Sequence, residues 1–195
     1  MFNECWIADR QLEALAGLAA GTNDLPGDAI EVGVHQGLSA IPIANAVYPG
    51  ILHAVDHWDW VKTLVDDGRV DPEDPLSAES LTTVGLGRET VDRDNYGIFL
   101  DNALEGTRGN IRVHKTGWRG FAEQWTGPVR FLHIDAVHTA QEVSDTIATF
   151  LPFAAPGAIF CGDDWYYPPV QEGVRGHFPE VNTGPAALWW ARLDS

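Results

Sequence analysis

Three carboxylates are the residues of this chain best suited to chemistry. Asp135 closes the apolar run 129–134, while Asp163 and Asp164 follow the apolar run 158–161 after a single glycine, Gly162. A lone acid at such a place is commonly a helix cap or a turn residue. Three acids brought together at the ends of adjacent strands repel one another unless a cation lies among them. Their hard oxygen donors suit Mg²⁺, with Ca²⁺ or Mn²⁺ as alternatives. A second group lies earlier. Glu31, Gly33 and Gly37 stand at E-x-G-x-x-x-G spacing on an apolar run, and Asp56 closes the next run, 51–55. The glycines allow a tight turn and a close approach of ligand to backbone. An acid at the tip of a second strand is placed to accept hydrogen bonds from ribose hydroxyls. The spacing differs from the G-x-G-x-x-G of dinucleotide sites.

Strands and helices must position these residues. Residues 29–55 predict a β-α-β unit, with a helix over 40–47 between its strands. Before it, 8–20 carries Leu12, Leu15 and Leu18 at helical spacing and predicts an amphipathic scaffold helix. Residues 57–92 are acidic, contain Pro72 and Pro75, and predict an inserted loop or short helices. Such an insert is either a lid over a ligand or a solvated excursion. Trp58 and Trp60 favour the lid, because loop aromatics need something to cover; Trp58 either flanks an adenine beside Asp56 or packs in the core. A helix over about 92–104 and a third strand, 110–114, lead to Gly117 and Trp118. That corner lies at the strand edge where open α/β sheets bind ligands, so Trp118 either stacks on a ligand or forms a surface corner. The fourth strand, 129–134, is followed by a helix over 139–151 with Val143, Ile147, Phe150 and Leu151 on one stripe. A fifth strand, 158–161, a helix near 170–177 and a last strand, 187–192, expected to be antiparallel, complete the chain. Alternation of this kind predicts one α/β domain over 1–195, with a mostly parallel sheet and helices on both faces. Trp165, Tyr166 and Tyr167 could wall a substrate pocket, while Trp189 and Trp190 pack in the core or form a dimer contact.

The glycine stretch bracketed by Glu31 and Asp56 resembles motifs I and II of class I S-adenosylmethionine-dependent methyltransferases. The runs 131–138 and 151–165 are similar to the second half of metal-dependent small-molecule O-methyltransferases. They are most like the macrocin O-methyltransferase type and more distantly similar to catechol O-methyltransferase. This resemblance, over roughly 29–165, implies a Rossmann-like class I fold. It implies that Glu31, Gly33 and Gly37 form the loop under the methionine part of S-adenosylmethionine and that Asp56 holds the ribose, with His57 and Trp58 beside it. Gly117 and Trp118 would meet the adenine. Asp135, Asp163 and Asp164 would hold Mg²⁺, with Asp135 also bordering the cofactor. His138, three residues past the strand-four acid, would be the general base, with a reference pKa near 6.5; otherwise it caps the helix or lies on the surface. His35, His53 and His57 are weaker candidates for that role, and His133, within a strand, is structural. The chain departs from the family's Asp-Gly-Asp-His in reading Asp135-Ala136-Val137-His138, which replaces one acid by Val137.

Composition narrows the partners. The 195 residues carry 28 acids against 12 Lys plus Arg, a formal charge of −16. Nucleic acid and anionic membrane are therefore disfavoured as partners, and a small-molecule substrate is expected. No apolar run approaches the roughly 18 residues of a membrane span, and the N-terminal residues lack a basic segment followed by an apolar core. Cys5 and Cys161 are far apart, so a reduced, cytoplasmic protein is expected. A homodimer is permitted. Two other readings compete: a methyltransferase-like protein that binds the cofactor for another reaction or as an accessory, and a Rossmann-type module for NAD or a nucleotide sugar.

Overall fold

In the computed structural model, which describes residues 7–77, 93–136 and 138–194, the most apolar runs of the chain lie side by side at the centre of a sheet. These are β1 (Asp28–Val32), β2 (Leu52–Asp56), β4 (Val129–Ile134) and β5 (Ala154–Gly162), with β3 (Ile111–Lys115) at one edge. Every residue of β4 is buried, as expected for a central parallel strand covered on both faces. Arg130 is tolerated there because its guanidinium donates to the carbonyls of Val47 and Asn23. The sheet closes with β6 (Asn182–Thr183) and β7 (Trp189–Arg192).

The strand order is β3-β2-β1-β4-β5-β7-β6. The five strands from β3 to β5 are parallel, β7 runs antiparallel to β5, and β6 runs antiparallel to β7. This is the Rossmann-like, mostly parallel arrangement with an antiparallel last strand. The order reverses between β1 and β4, and that switch point is where open α/β sheets bind ligands. Hydrogen bonds continue past the strand ends: Gly33 N–H donates to Val55, Asp135 N–H to Val32, Asp163 N–H to Ile134 and Thr116 N–H to Asp56. The tips that carry Gly33, Asp56, Asp135 and Asp163 are thereby held at one level.

Helices cover both faces. One apolar layer joins the sheet to α1 (Asp9–Ala20), α2 (Ala40–Val47) and α4 (Asn95–Gly106); the other joins it to α5 (Trp118–Ala122), α6 (Ala140–Phe150) and α7 (Pro168–Arg175). The start of α6 is fixed by Thr139, whose hydroxyl accepts from the Glu142 amide, the first half of a capping box. Its buried stripe is Val143, Thr146, Ile147 and Phe150.

Several sequence expectations shift. In α1 the buried positions are Gln11, Leu15 and Ala19 rather than Leu12, Leu15 and Leu18; an i, i+4 stripe faces the sheet, and Gln11 turns toward the ligand cavity. The insert after Asp56 begins with a short helix, α3 (Trp60–Asp66), capped by Asp59, while 78–92 lies outside the described residues. β5 extends four residues earlier than expected, and the short β6 had no apolar pattern to reveal it. Trp189 is 1% exposed and β7 is paired on both sides, so core packing, not a dimer contact, accounts for it. Among the described residues no helix is long and apolar enough to cross a membrane.

Candidate active site

A cavity of about 830 Å³ opens at the carboxyl ends of β1, β2, β4 and β5, within the size range of small-molecule and cofactor sites. Among the described residues four non-glycine positions have positive φ: His35 (49°), Trp58 (53°), Asp164 (59°) and Ala186 (56°). All four line this cavity. Backbone held in sparsely populated conformations clusters where function needs it, and no other part of the described chain collects such residues.

On the β1–β2 side, Asp56 organises the loops. Its Oδ2 accepts from the amides of Val34 and His35, both at 2.9 Å, and its Oδ1 accepts from Trp58 N–H at 2.6 Å. A carboxylate offers about four lone-pair positions, so an acceptor site remains toward the cavity. Trp58 donates its indole N–H to the His35 carbonyl and packs against Tyr96 and Phe99. It thus lines the cavity and packs into the core at once. His57 also lines the cavity, with its Nδ1 accepting from the Asp59 amide. Gly117 and Trp118 border the far side. Trp118 is 9% exposed, donates to Glu142 and carries the Arg119 guanidinium over its ring, so it is a fixed wall rather than a surface corner.

The other motif residues act from beneath. Glu31 is fully buried, accepts the Ser39 hydroxyl and lies 3.0 Å from His133 Nδ1. It is not among the cavity-lining residues; it steadies Ser39, which is. His133 shares this buried pair and is structural. A Cβ on Gly37 would meet the Phe99 ring at 2.9 Å, and one on Gly33 would lie 1.8 Å from the Asp135 carbonyl oxygen. Both glycines have φ of +87°. What they make room for is therefore protein, and Gly33 specifically lets the β1 tip sit against the β4 tip. Gly33→Ala is expected to destabilise the fold by at least about 3 kcal/mol, through an unfavourable φ and a backbone clash. The denaturant midpoint checks this; an unchanged midpoint would contradict it.

On the β4–β5 side, one ligand atom each from Asp135, His138 and Asp164 lie within 4.8 Å of one another. Asp163 lines the same cavity, but its Oδ1 accepts from the Asp164 amide at 2.7 Å. Of the expected acids, Asp135 and Asp164 lie in this group with His138, and Asp163 stands beside them on the cavity wall. Burial and then repulsion from Asp163 push the Asp135 pKa up to about 7. Burial also pushes Asp164 up, but its bonds with His138 and Tyr166 and the His138 charge hold it below the usual carboxylate value.

His138 departs most from expectation. Its Nε2 lies 2.7 Å from Asp164 Oδ2 and its Nδ1 lies 3.2 Å from Asp67 Oδ2. Burial alone would lower its pKa; the two carboxylates outweigh burial and raise it to about 10, far from the 6.5 of a free imidazole. Held this way, the ring is charged at neutral pH. Val137 lies outside the described residues.

The acids fit a divalent cation: Asp135 and Asp164 converge where they repel one another, and His138 adjoins them. The other half of the cavity fits a nucleoside-bearing cofactor, with a strand-tip acid beside aromatic walls.

The fold and site together define a class I methyltransferase architecture. Solved structures share it: the O-methyltransferase NovP (18% identity, 97% of this chain and 81% of that one, TM-score 0.66); TomG from Streptomyces achromogenes, involved in tomaymycin synthesis and solved with S-adenosylmethionine (14%, 100% and 84%, 0.64); and CalS11, a calicheamicin methyltransferase (13%, 93% and 77%, 0.63). At these identities they establish the fold. No curated protein matches the chain. The methyltransferase-domain family matches residues 30–165, and the chain belongs to that family, as an S-adenosylmethionine-dependent methyltransferase.

Sequence reasoning missed several cavity residues: Gln11 of α1, Ser39, Asp67, Arg69 and Ala187. Ser39 alone had a signal, as a small polar residue at the end of the glycine stretch. Asp67 stood in an acidic run with nothing to mark its pairing with a residue 71 positions later.

Proposed function

We propose that this protein is a cation-dependent O-methyltransferase acting on a hydroxylated small molecule, of the sugar or polyketide-derived natural-product kind. The observation that carries the reading is the convergence of Asp135, His138 and Asp164 in the same cavity as Asp56 and the Gly33 loop. S-adenosylmethionine supplies an electrophilic methyl group; a divalent cation at the acids supplies acidification of a coordinated hydroxyl.

The chain's own residues do the rest. Asp56, with His57 and Trp58 beside it and Gly117 and Trp118 opposite, would hold the nucleoside part of the cofactor. Asp135 and Asp164 would hold the cation, with His138 and Asp163 adjoining. His138 faces the site through Nε2 and is the group placed to take the hydroxyl proton. With Asp164 holding a cation, His138 would lose one of the two carboxylates that keep it charged and would hold its proton less tightly. Tyr166 would wall the acceptor and keep water from its reacting oxygen. NovP and TomG are O-methyltransferases and CalS11 a calicheamicin methyltransferase, which supports hydroxyl acceptors of natural-product type.

The test is a panel of sugar, macrolide and phenolic acceptors incubated with methyl-labelled S-adenosylmethionine, with Mg²⁺, with Mn²⁺ and with chelator. Labelled methyl ethers formed only with a cation are the expected result. Transfer that is indifferent to chelator, or label only on nitrogen or carbon, would overturn the reading.

A further inference from the structure

Asp67 follows α3 directly and belongs to the insert after β2, yet its side chain reaches the end of β4. One oxygen, Oδ1, accepts the backbone N–H of His138 at 2.7 Å; the other, Oδ2, lies 3.2 Å from the ring Nδ1. The Asp67 side chain is only 3% exposed, whereas that of His138 is 26% exposed. A carboxylate so buried needs partners for its charge, and among the described residues both of its oxygens find theirs in His138. The position of Asp67 is itself fixed: its amide donates to Thr63, and Gly68, with φ of +66°, ends the helix immediately after it.

We propose that Asp67 is a positioning residue for His138. It grips the backbone and the Nδ1 edge of the ring, so that the Nε2 edge is presented to Asp164 and the cavity, and it makes that presentation depend on α3 being docked. The inference rests on the reading of His138 given above. The physical logic is that of a carboxylate behind a functional imidazole: it fixes which ring nitrogen carries the proton and which faces the site. Two contacts from one side chain stop both ring rotation and movement of the loop, which a single hydrogen bond would not. α3 and the turn after it also present Lys62, Thr63, Asp66 and Arg69 to the cavity. Docking of this segment therefore completes the cavity wall and sets the imidazole in one event.

The test uses the full chain labelled with ¹⁵N-histidine. Asp67→Asn keeps an oxygen for the residue-138 amide but removes the charge; Asp67→Ala removes both contacts. The His138 Nδ1–H signal, assigned by its loss in His138→Ala, is expected to be protected from exchange with water in the wild type and to be lost in both Asp67 variants. Turnover of an acceptor from the panel should fall about tenfold to a hundredfold in Asp67→Asn. It should fall no further when that change is added to His138→Ala, because the two residues act as a unit. S-adenosylmethionine affinity, measured on the same samples, should not change, which separates positioning from a damaged fold. A His138 ring signal unaltered by Asp67→Asn, or unprotected in the wild type, would overturn the proposal, as would turnover losses that simply add. If the wild type methylated no acceptor of the panel, the proposed function would fail, and the ring-proton result would decide on Asp67 by itself.

Discussion

Replacing His138 with alanine is expected to lower turnover by about two to four orders of magnitude, the usual loss of a positioned acid or base. S-adenosylmethionine affinity should stay the same. The expectation follows from the geometry. The ring stands between Asp67 and Asp164, and its Nε2 edge faces the acids of the cavity. The cofactor-side residues Asp56 and Trp58 are held by their own bonds to the Val34, His35 and Trp58 backbone. None of these bonds involves His138. A variant with full turnover on an acceptor from the panel would remove His138 from the role. One that lost cofactor binding as well would make it a structural residue.

The second large effect separates two neighbouring acids. Asp164→Asn is expected to weaken divalent-cation binding by about a hundredfold, roughly the 3 kcal/mol lost when one charged partner is removed from a partly desolvated site. Asp163→Asn should cost clearly less, since one Asp163 oxygen is engaged by the Asp164 amide and its side chain is outside the converging set. Asparagine is the right probe at both positions. It tolerates the left-handed backbone of Asp164, whose φ is 59°, so folding is preserved. Equal losses from the two substitutions would restore the three-acid arrangement expected from the sequence.

How much of this was legible in the sequence depended on how local the cause was. The runs 29–32, 51–55 and 129–134 are apolar because both faces of a central parallel strand are covered, so their positions could be read directly. Acids that end such runs could be assigned to one edge of the sheet, since parallel strands share their carboxyl ends. The orientation of side chains at that edge could not. Asp163 and Asp164 are adjacent and chemically alike, and the left-handed turn at Asp164 decides which one faces His138. Glu31 read as a cofactor residue because it lies in the glycine motif, but alternation along β1 turns it into the α2-facing layer, to His133 and Ser39. The surroundings of His138 were not legible for a related reason: the sequence shows an isolated imidazole, and Asp67, which with Asp164 raises its pKa, comes from an insert whose docking has no sequence pattern.

The central claim is that one cavity takes S-adenosylmethionine against the β1 and β2 tips and a divalent cation against the β4 and β5 tips. Calorimetric titration of the cofactor, and then of Mg²⁺ or Mn²⁺, into the wild type and Asp164→Asn tests it most directly. The account predicts that both proteins bind S-adenosylmethionine and that only the wild type binds the cation with measurable strength. Equal cation binding by the two proteins, or no cofactor binding by the wild type, would contradict it.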